Sequence, residues 1–192
     1  YFNAYKILKK LNISDWKIIT KFPKVNLRKS SQLQYNDFAN KILNDFKIDQ
    51  IKCVHFHDIT QLLSTKGEKL FKCLQNLKDR KIIGQIGASV YFPEEVERLM
   101  KYYQFDVIQC PVNPFDNEFI RENTLYKLKK NNIKVHARSI FLQGLLLMDK
   151  KKIPKYFNKW SNIFNNWQDY LNDNQISALE ACILFIKNQK NI

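Results

Sequence analysis

No CxxC pair, no glycine-rich loop of the GxGxxG or GxxxxGK kind and no apolar run of about 20 residues occurs in the 192-residue chain. Each absence excludes a class. Cys53, Cys73, Cys110 and Cys182 are too scattered for a disulfide or zinc framework and read as reduced thiols of a cytoplasmic protein. Without a long apolar run there is no transmembrane helix, and no signal peptide opens the chain. The classical nucleotide-binding loops lack their fingerprint. Histidine is scarce too: His55 and His57 form an HxH pair of the kind that begins a metal-hydrolase site, but only His136 remains and no suitably placed acid completes a ligand set, so no metal is expected.

Acids are also few, 18 against 32 lysines and arginines, for a formal charge of +14. That excess raises a nucleic-acid groove or a membrane surface as partners. The lysines are nevertheless spread over presumed helix faces, with only short clusters at Lys127, Lys129, Lys130 and Lys150 to Lys152. Lysine enrichment here accompanies abundant Asn, Ile, Phe and Tyr, the mixture that AT-rich coding DNA yields. A solvated basic surface is the favoured reading, with neither nucleic acid nor membrane as partner. A patch that draws a phosphorylated ligand is the alternative.

What the chain does have is a repeat of form. Apolar strand-like runs begin near residues 17, 51, 82, 105 and 133, at spacings of 34, 31, 23 and 28. Between them lie amphipathic stretches at 37–46, 68–77 and 119–130, and a helix start at Pro93-Glu94-Glu95, where proline suits the first helical position and the acids suit the positive end of the helix. Such intervals predict βα units with right-handed crossovers and parallel strands. The pattern alone does not fix closure, so a doubly wound sheet and a barrel both fit it. After Lys150 the chain changes: Trp160, Phe164, Trp167, Tyr170 and Leu171 form one apolar stripe and residues 176–185 another.

Polar residues recur where the strands should end. Lys21 closes the first run, as an edge residue with a buried stem and wet ammonium or as a site residue. His55 and His57 close the second and share a strand face; His55 suits a core or hydrogen-bonding role, and His57 is the better functional candidate. Ser89 follows the third, and Gln109 and Asn113 flank the end of the fourth, as turn caps or as partners for a planar polar ligand. Arg138 and Ser139 end the fifth. Gly144, just beyond, would let the backbone approach an anion.

With these residues in order, the sequence resembles the aldo-keto reductase family, its bacterial members in particular. The matching segments are Ile18-Ile19-Thr20-Lys21, the strand ending at His57, Gly87-Ala88-Ser89, Ile108-Gln109 with Asn113, and Arg138-Ser139-Ile140-Phe141-Leu142-Gln143-Gly144. The resemblance implies an α/β fold, a TIM-type (β/α)8 barrel, of which residues 1–192 would be a single partial domain with about five of eight strands, incomplete at both ends. It implies reduction of a small aldehyde or ketone by NADPH, with NADH as the alternative cofactor.

The family's tetrad is Asp, Tyr, Lys and His. Lys21 matches the lysine and His57 the histidine, and Tyr1-Phe2-Asn3-Ala4-Tyr5-Lys6-Ile7-Leu8 resembles the tyrosine segment, which makes Tyr1 the proton donor. Tyr5 stands where a glutamate is usual. The aspartate and two strands would lie upstream, and a last strand and helix downstream. For the cofactor, the resemblance implies Ser89 and Gln109 at the nicotinamide, with Val90 where asparagine is common. Arg138 stands where many members stack an aromatic ring, and Ser139, Phe141, Gln143 and Gly144 belong to the loop that receives the pyrophosphate. Asn113 is structural in this reading. A noncatalytic nucleotide- or protein-binding barrel homologue is the alternative, and a metal-dependent hydrolase a more distant one.

Overall fold

Strands covered on both faces read as unbroken apolar runs; the five runs form one parallel sheet whose three middle strands are buried almost throughout and whose two edge strands are partly exposed. The structure is a computed structural model and describes residues 2–190 and 192. In chain order its regular elements are α1 (Phe2–Leu8), β1 (Ile19–Phe22), α2 (Ser31–Phe46), β2 (Cys53–Phe56), α3 (Gly67–Asp79), β3 (Ile86–Ser89) and α4 (Pro93–Met100). Then follow β4 (Val107–Pro111), α5 (Glu118–Arg121), α6 (Thr124–Lys130), β5 (Lys134–Arg138), α7 (Ser161–Asp173) and α8 (Ala178–Lys187). Three short 3-10 turns lie between β5 and α7.

The strand order is β1-β2-β3-β4-β5. Each strand pairs in parallel with its neighbour in the chain, so Lys21 stands beside His55, His55 beside Gly87, Ser89 beside Gln109, and Gln109 beside His136. A doubly wound sheet reverses its order at a switch point. This one keeps winding one way, as a barrel does, and that decides between the two architectures that the spacing left open.

Alternation along each strand then sorts residues into two layers. Phe22 packs its ring against Tyr35 and Phe38 of α2, at centroid distances of 5.2 and 4.6 Å, and Phe56 meets Tyr35 and Phe71. Ile86, Ala88, Ile108, Cys110 and Val135 join the same helix-facing core. Each large apolar side chain fully buried there contributes roughly 1.5–3 kcal/mol. The intervening residues, among them Lys21, His55, Gly87, Ser89, Gln109, His136 and Arg138, face the other way, into the concave side of the sheet.

Local chemistry moved some boundaries. The helix expected at 37–46 begins at Ser31, because the Ser30 side chain accepts from the Leu33 N–H and caps it. The helix expected over 119–130 is two, α5 and α6, separated at Asn123, whose φ of +57° is the left-handed turn that asparagine tolerates. In the last third, α7 buries Phe164 and Leu171 but leaves Tyr170 half exposed, and Trp160 falls just ahead of the helix. Among the described residues no helix is long and apolar enough to cross a membrane.

Candidate active site at the strand ends

The carboxyl ends of β1, β3, β4 and β5 bring four of the expected side chains together. Lys21 Nζ donates to Ser89 Oγ at 3.1 Å, and Ser89 Oγ donates to Gln109 Oε1 at 3.4 Å. Residues 68 and 20 positions apart in the chain thus form one hydrogen-bonded string across the mouth of the sheet. Arg138 stands at its far side. Its Nη2 donates to the Val90 carbonyl at 2.9 Å, Nη1 to Ser139 Oγ at 3.4 Å, and its guanidinium lies 4.2 Å over the Tyr91 ring. Burial, and after it the Arg138 charge, push the Lys21 ammonium below its usual range. His57 follows β2 at the same end and is exposed, with its backbone N–H directed at the Phe22 carbonyl. Tyr1 lies outside the described residues.

Beneath this rim the concave side has a polar floor. His55 is fully buried, with Nε2 3.4 Å from His136 Nδ1 and 3.6 Å from Cys53 Sγ. Burial pushes the Cys53 thiol up to about 12, so it remains protonated and can donate to His55. His55 is itself lowered to about 4, first by burial and then by His136 and Lys21. His136 is shifted the same way, by burial and by Lys134. Both imidazoles are therefore neutral in the fold near neutral pH. Among the described residues no three His, Cys, Asp or Glu side chains are grouped to hold a metal.

A pH dependence follows. Unfolded His55 takes a proton near 6.5, whereas the folded chain resists it until about 4. The stabilisation is complete above roughly 6.5 and is lost as pH falls towards 4, where the unfolded chain binds more protons, and its size is on the order of 3 kcal/mol. Urea midpoints should fall from pH 7 to pH 4.5, and His55→Gln should flatten that slope. Parallel pH dependence in both proteins would refute this account.

The loop after β5 is unusual in its backbone. Ser139, Leu142, Gln143 and Gly144 all have positive φ, at 56°, 46°, 58° and 88°. At Gly144 the φ, not crowding, demands glycine, since an added Cβ would meet nothing within 4 Å. Phe141 is half-buried, and its carbonyl accepts from the N–H of Gly144 at 2.9 Å; Gln143 is exposed. The loop is pinned by Asn113. This fully buried side chain donates to the Ser139 carbonyl at 3.1 Å and accepts from the N–H groups of Phe115 and Asp116. Sequence reasoning missed Tyr91 as the partner of Arg138, and only its position two residues after Ser89 hinted at it.

Tyr5 has its own engagement on the outer layer. Its hydroxyl donates to Asp45 Oδ2 at 2.5 Å, and burial and that carboxylate raise its pKa far above the usual range. It is bound to α2 and stands apart from the rim.

The model of the aldo/keto reductase family matches residues 5–192. The chain belongs to the aldo/keto reductase family. Its one-way parallel winding is accordingly that of the family's (β/α)8 barrel, represented here by five strands. Solved structures agree on the fold. The glycerol dehydrogenase of Gluconobacter oxydans superposes with a TM-score of 0.72 over 98% of this chain and 66% of its own, at 17% identity. An aldo-keto reductase from Bacillus halodurans in its holo form gives 0.62 over 79% and 52%, at 16% identity. Aldose reductase from Giardia lamblia gives 0.52 over 72% and 52%, at 17% identity. The chain thus spans less than two thirds of the length of each of these relatives. No curated protein matches it.

Proposed function

We propose that the protein reduces a small aldehyde or ketone to an alcohol with NADPH or NADH as the hydride source. The observation that carries this reading is the string Lys21–Ser89–Gln109, with Arg138 beside it, at the carboxyl ends of β1, β3, β4 and β5. The donor set suits a nicotinamide. The Ser89 hydroxyl and Gln109 amide can meet a carboxamide, Arg138 offers a flat guanidinium with a buried, unpartnered Nε, and the loop after β5 leaves open space at Gly144, where a side chain would otherwise stand. When bound, the dinucleotide supplies the hydride. The protein's part is to align the carbonyl and deliver a proton to its oxygen.

Tyr1 is the proposed donor. A phenol with a pKa near ~10 parts with its proton reluctantly at neutral pH, and an ammonium such as that of Lys21, if brought near it, would favour tyrosinate and ease the transfer. His57 would orient the carbonyl oxygen. None of these roles calls on a metal. The four free, buried cysteines support a reducing compartment and a cytoplasmic location.

Calorimetric titration of the full-length protein with NADPH and then NADH tests the reading. Saturable binding of either, followed by carbonyl-dependent oxidation of the reduced nucleotide without added metal, is expected. No binding of either nucleotide would move the protein to a noncatalytic role.

A further inference from the structure

We infer that Arg138 makes the site discriminate by redox state, so that the reduced dinucleotide is held more tightly than the oxidised one. The inference rests on the proposed dinucleotide-dependent function and adds a selectivity to it.

Its basis is an uncompensated charge. The described residues contain six ion pairs, and neither Arg138 nor Lys21 takes part in any of them. Arg138 is held only by neutral partners: the Val90 carbonyl at 2.9 Å, Ser139 Oγ at 3.4 Å and the Tyr91 ring at 4.2 Å. Those contacts fix the guanidinium in place without cancelling its charge. Lys21 lies near enough across the mouth that its ammonium, destabilised first by burial, is destabilised further by the Arg138 charge. The aspartate that family resemblance places beside Lys21 would offset one of the two cations. The other, rigidly seated, remains.

A nicotinamide ring is neutral when reduced and carries one positive charge when oxidised. An aromatic ring stacked on it presents a negative face and favours the cation. A guanidinium in the same position does the reverse. Like charges within stacking distance in a partly desolvated mouth repel far more than they would in water, which is enough to change an equilibrium constant by about tenfold or more. The site would load NAD(P)H and shed NAD(P)+, which favours turnover in the direction of carbonyl reduction. By linkage, a tenfold preference raises the midpoint potential of the bound pair by about 30 mV relative to the free pair.

The experiment is a pair of equilibrium titrations of the full-length protein, with NADPH and with NADP+, repeated on Arg138→Met and Arg138→Lys. The wild type should bind NADPH at least about tenfold more tightly. Arg138→Met keeps the stem and removes the charge, and should bring the two affinities within about threefold, whereas Arg138→Lys should retain the preference. Equal wild-type affinities, or a preference that survives Arg138→Met, would overturn the inference and leave the proposed function standing. Failure of the folded wild type to bind either nucleotide would overturn both. Should Arg138→Met not fold, Arg138→Gln carries the same comparison.

Discussion

Replacing Lys21 with methionine should lower turnover by roughly 100-fold or more while leaving NADPH affinity nearly unchanged, the signature of a group that acts in proton transfer. Tyr1→Phe should give a similar loss, because it removes the proposed proton donor. The two differ in their pH profiles. With Lys21 gone, the dependence associated with tyrosine ionisation should flatten, since no ammonium draws the phenol towards its anion. Tyr5→Phe is the control. Its hydroxyl is committed to Asp45 at 2.5 Å, on the outer layer, so its loss should cost some packing and little activity. Steady-state rates at saturating cofactor, read beside cofactor binding, separate the outcomes. Near-normal turnover of Tyr1→Phe or Lys21→Met would remove the proposed proton path.

The sheet was legible because its chemistry is repetitive. Strands shielded on both faces, such as the one through Val54 and Phe56, cannot hide their apolar run, and the polar residues at their ends stand out against it. Winding direction was not legible. It depends on which strands pair, and Lys21 with Ser89, 68 residues away, is visible only once β2 is seated between β1 and β3. The break at Asn123 escaped because asparagine is tolerated in either conformation, so the amphipathic pattern ran straight through it. The start of α2 was readable in principle, since Ser30 is a good cap, but the first turn it caps carries few apolar residues. Among the polar side chains grouped at the strand ends, Lys21, Ser89, Gln109 and Arg138 could be picked out one by one. The seating of Arg138 on Tyr91 could not, because that contact joins the loop after β3 to the end of β5.

The barrel floor supports the other large expected effect: Gly87→Ala should destabilise the fold by about 3 kcal/mol, an overpacking cost. Gly87 pairs with His55 across β2 and β3, and the imidazole lies directly over the glycine. An added methyl would press on His55 Nδ1, would sit 2.6 Å from its Cε1, and would come within 2.8 Å of the Val107 carbonyl. Neither neighbour yields easily. The carbonyl belongs to the backbone of β4, and the ring is fully buried between Cys53 Sγ at 3.6 Å and His136 Nδ1 at 3.4 Å. Dense interiors convert such crowding into strain because no free volume lies nearby to receive the displaced ring. Chemical denaturation of the single variants and of Gly87→Ala with His55→Ala tests the cause. His55→Ala alone should also destabilise, by leaving a cavity, but it vacates the space the new methyl needs. The double variant should therefore be more stable than the sum of the two losses by about 1 kcal/mol or more. Strict additivity would mean that the methyl is resisted by the Val107 backbone alone, and that His55 does not require the glycine beneath it.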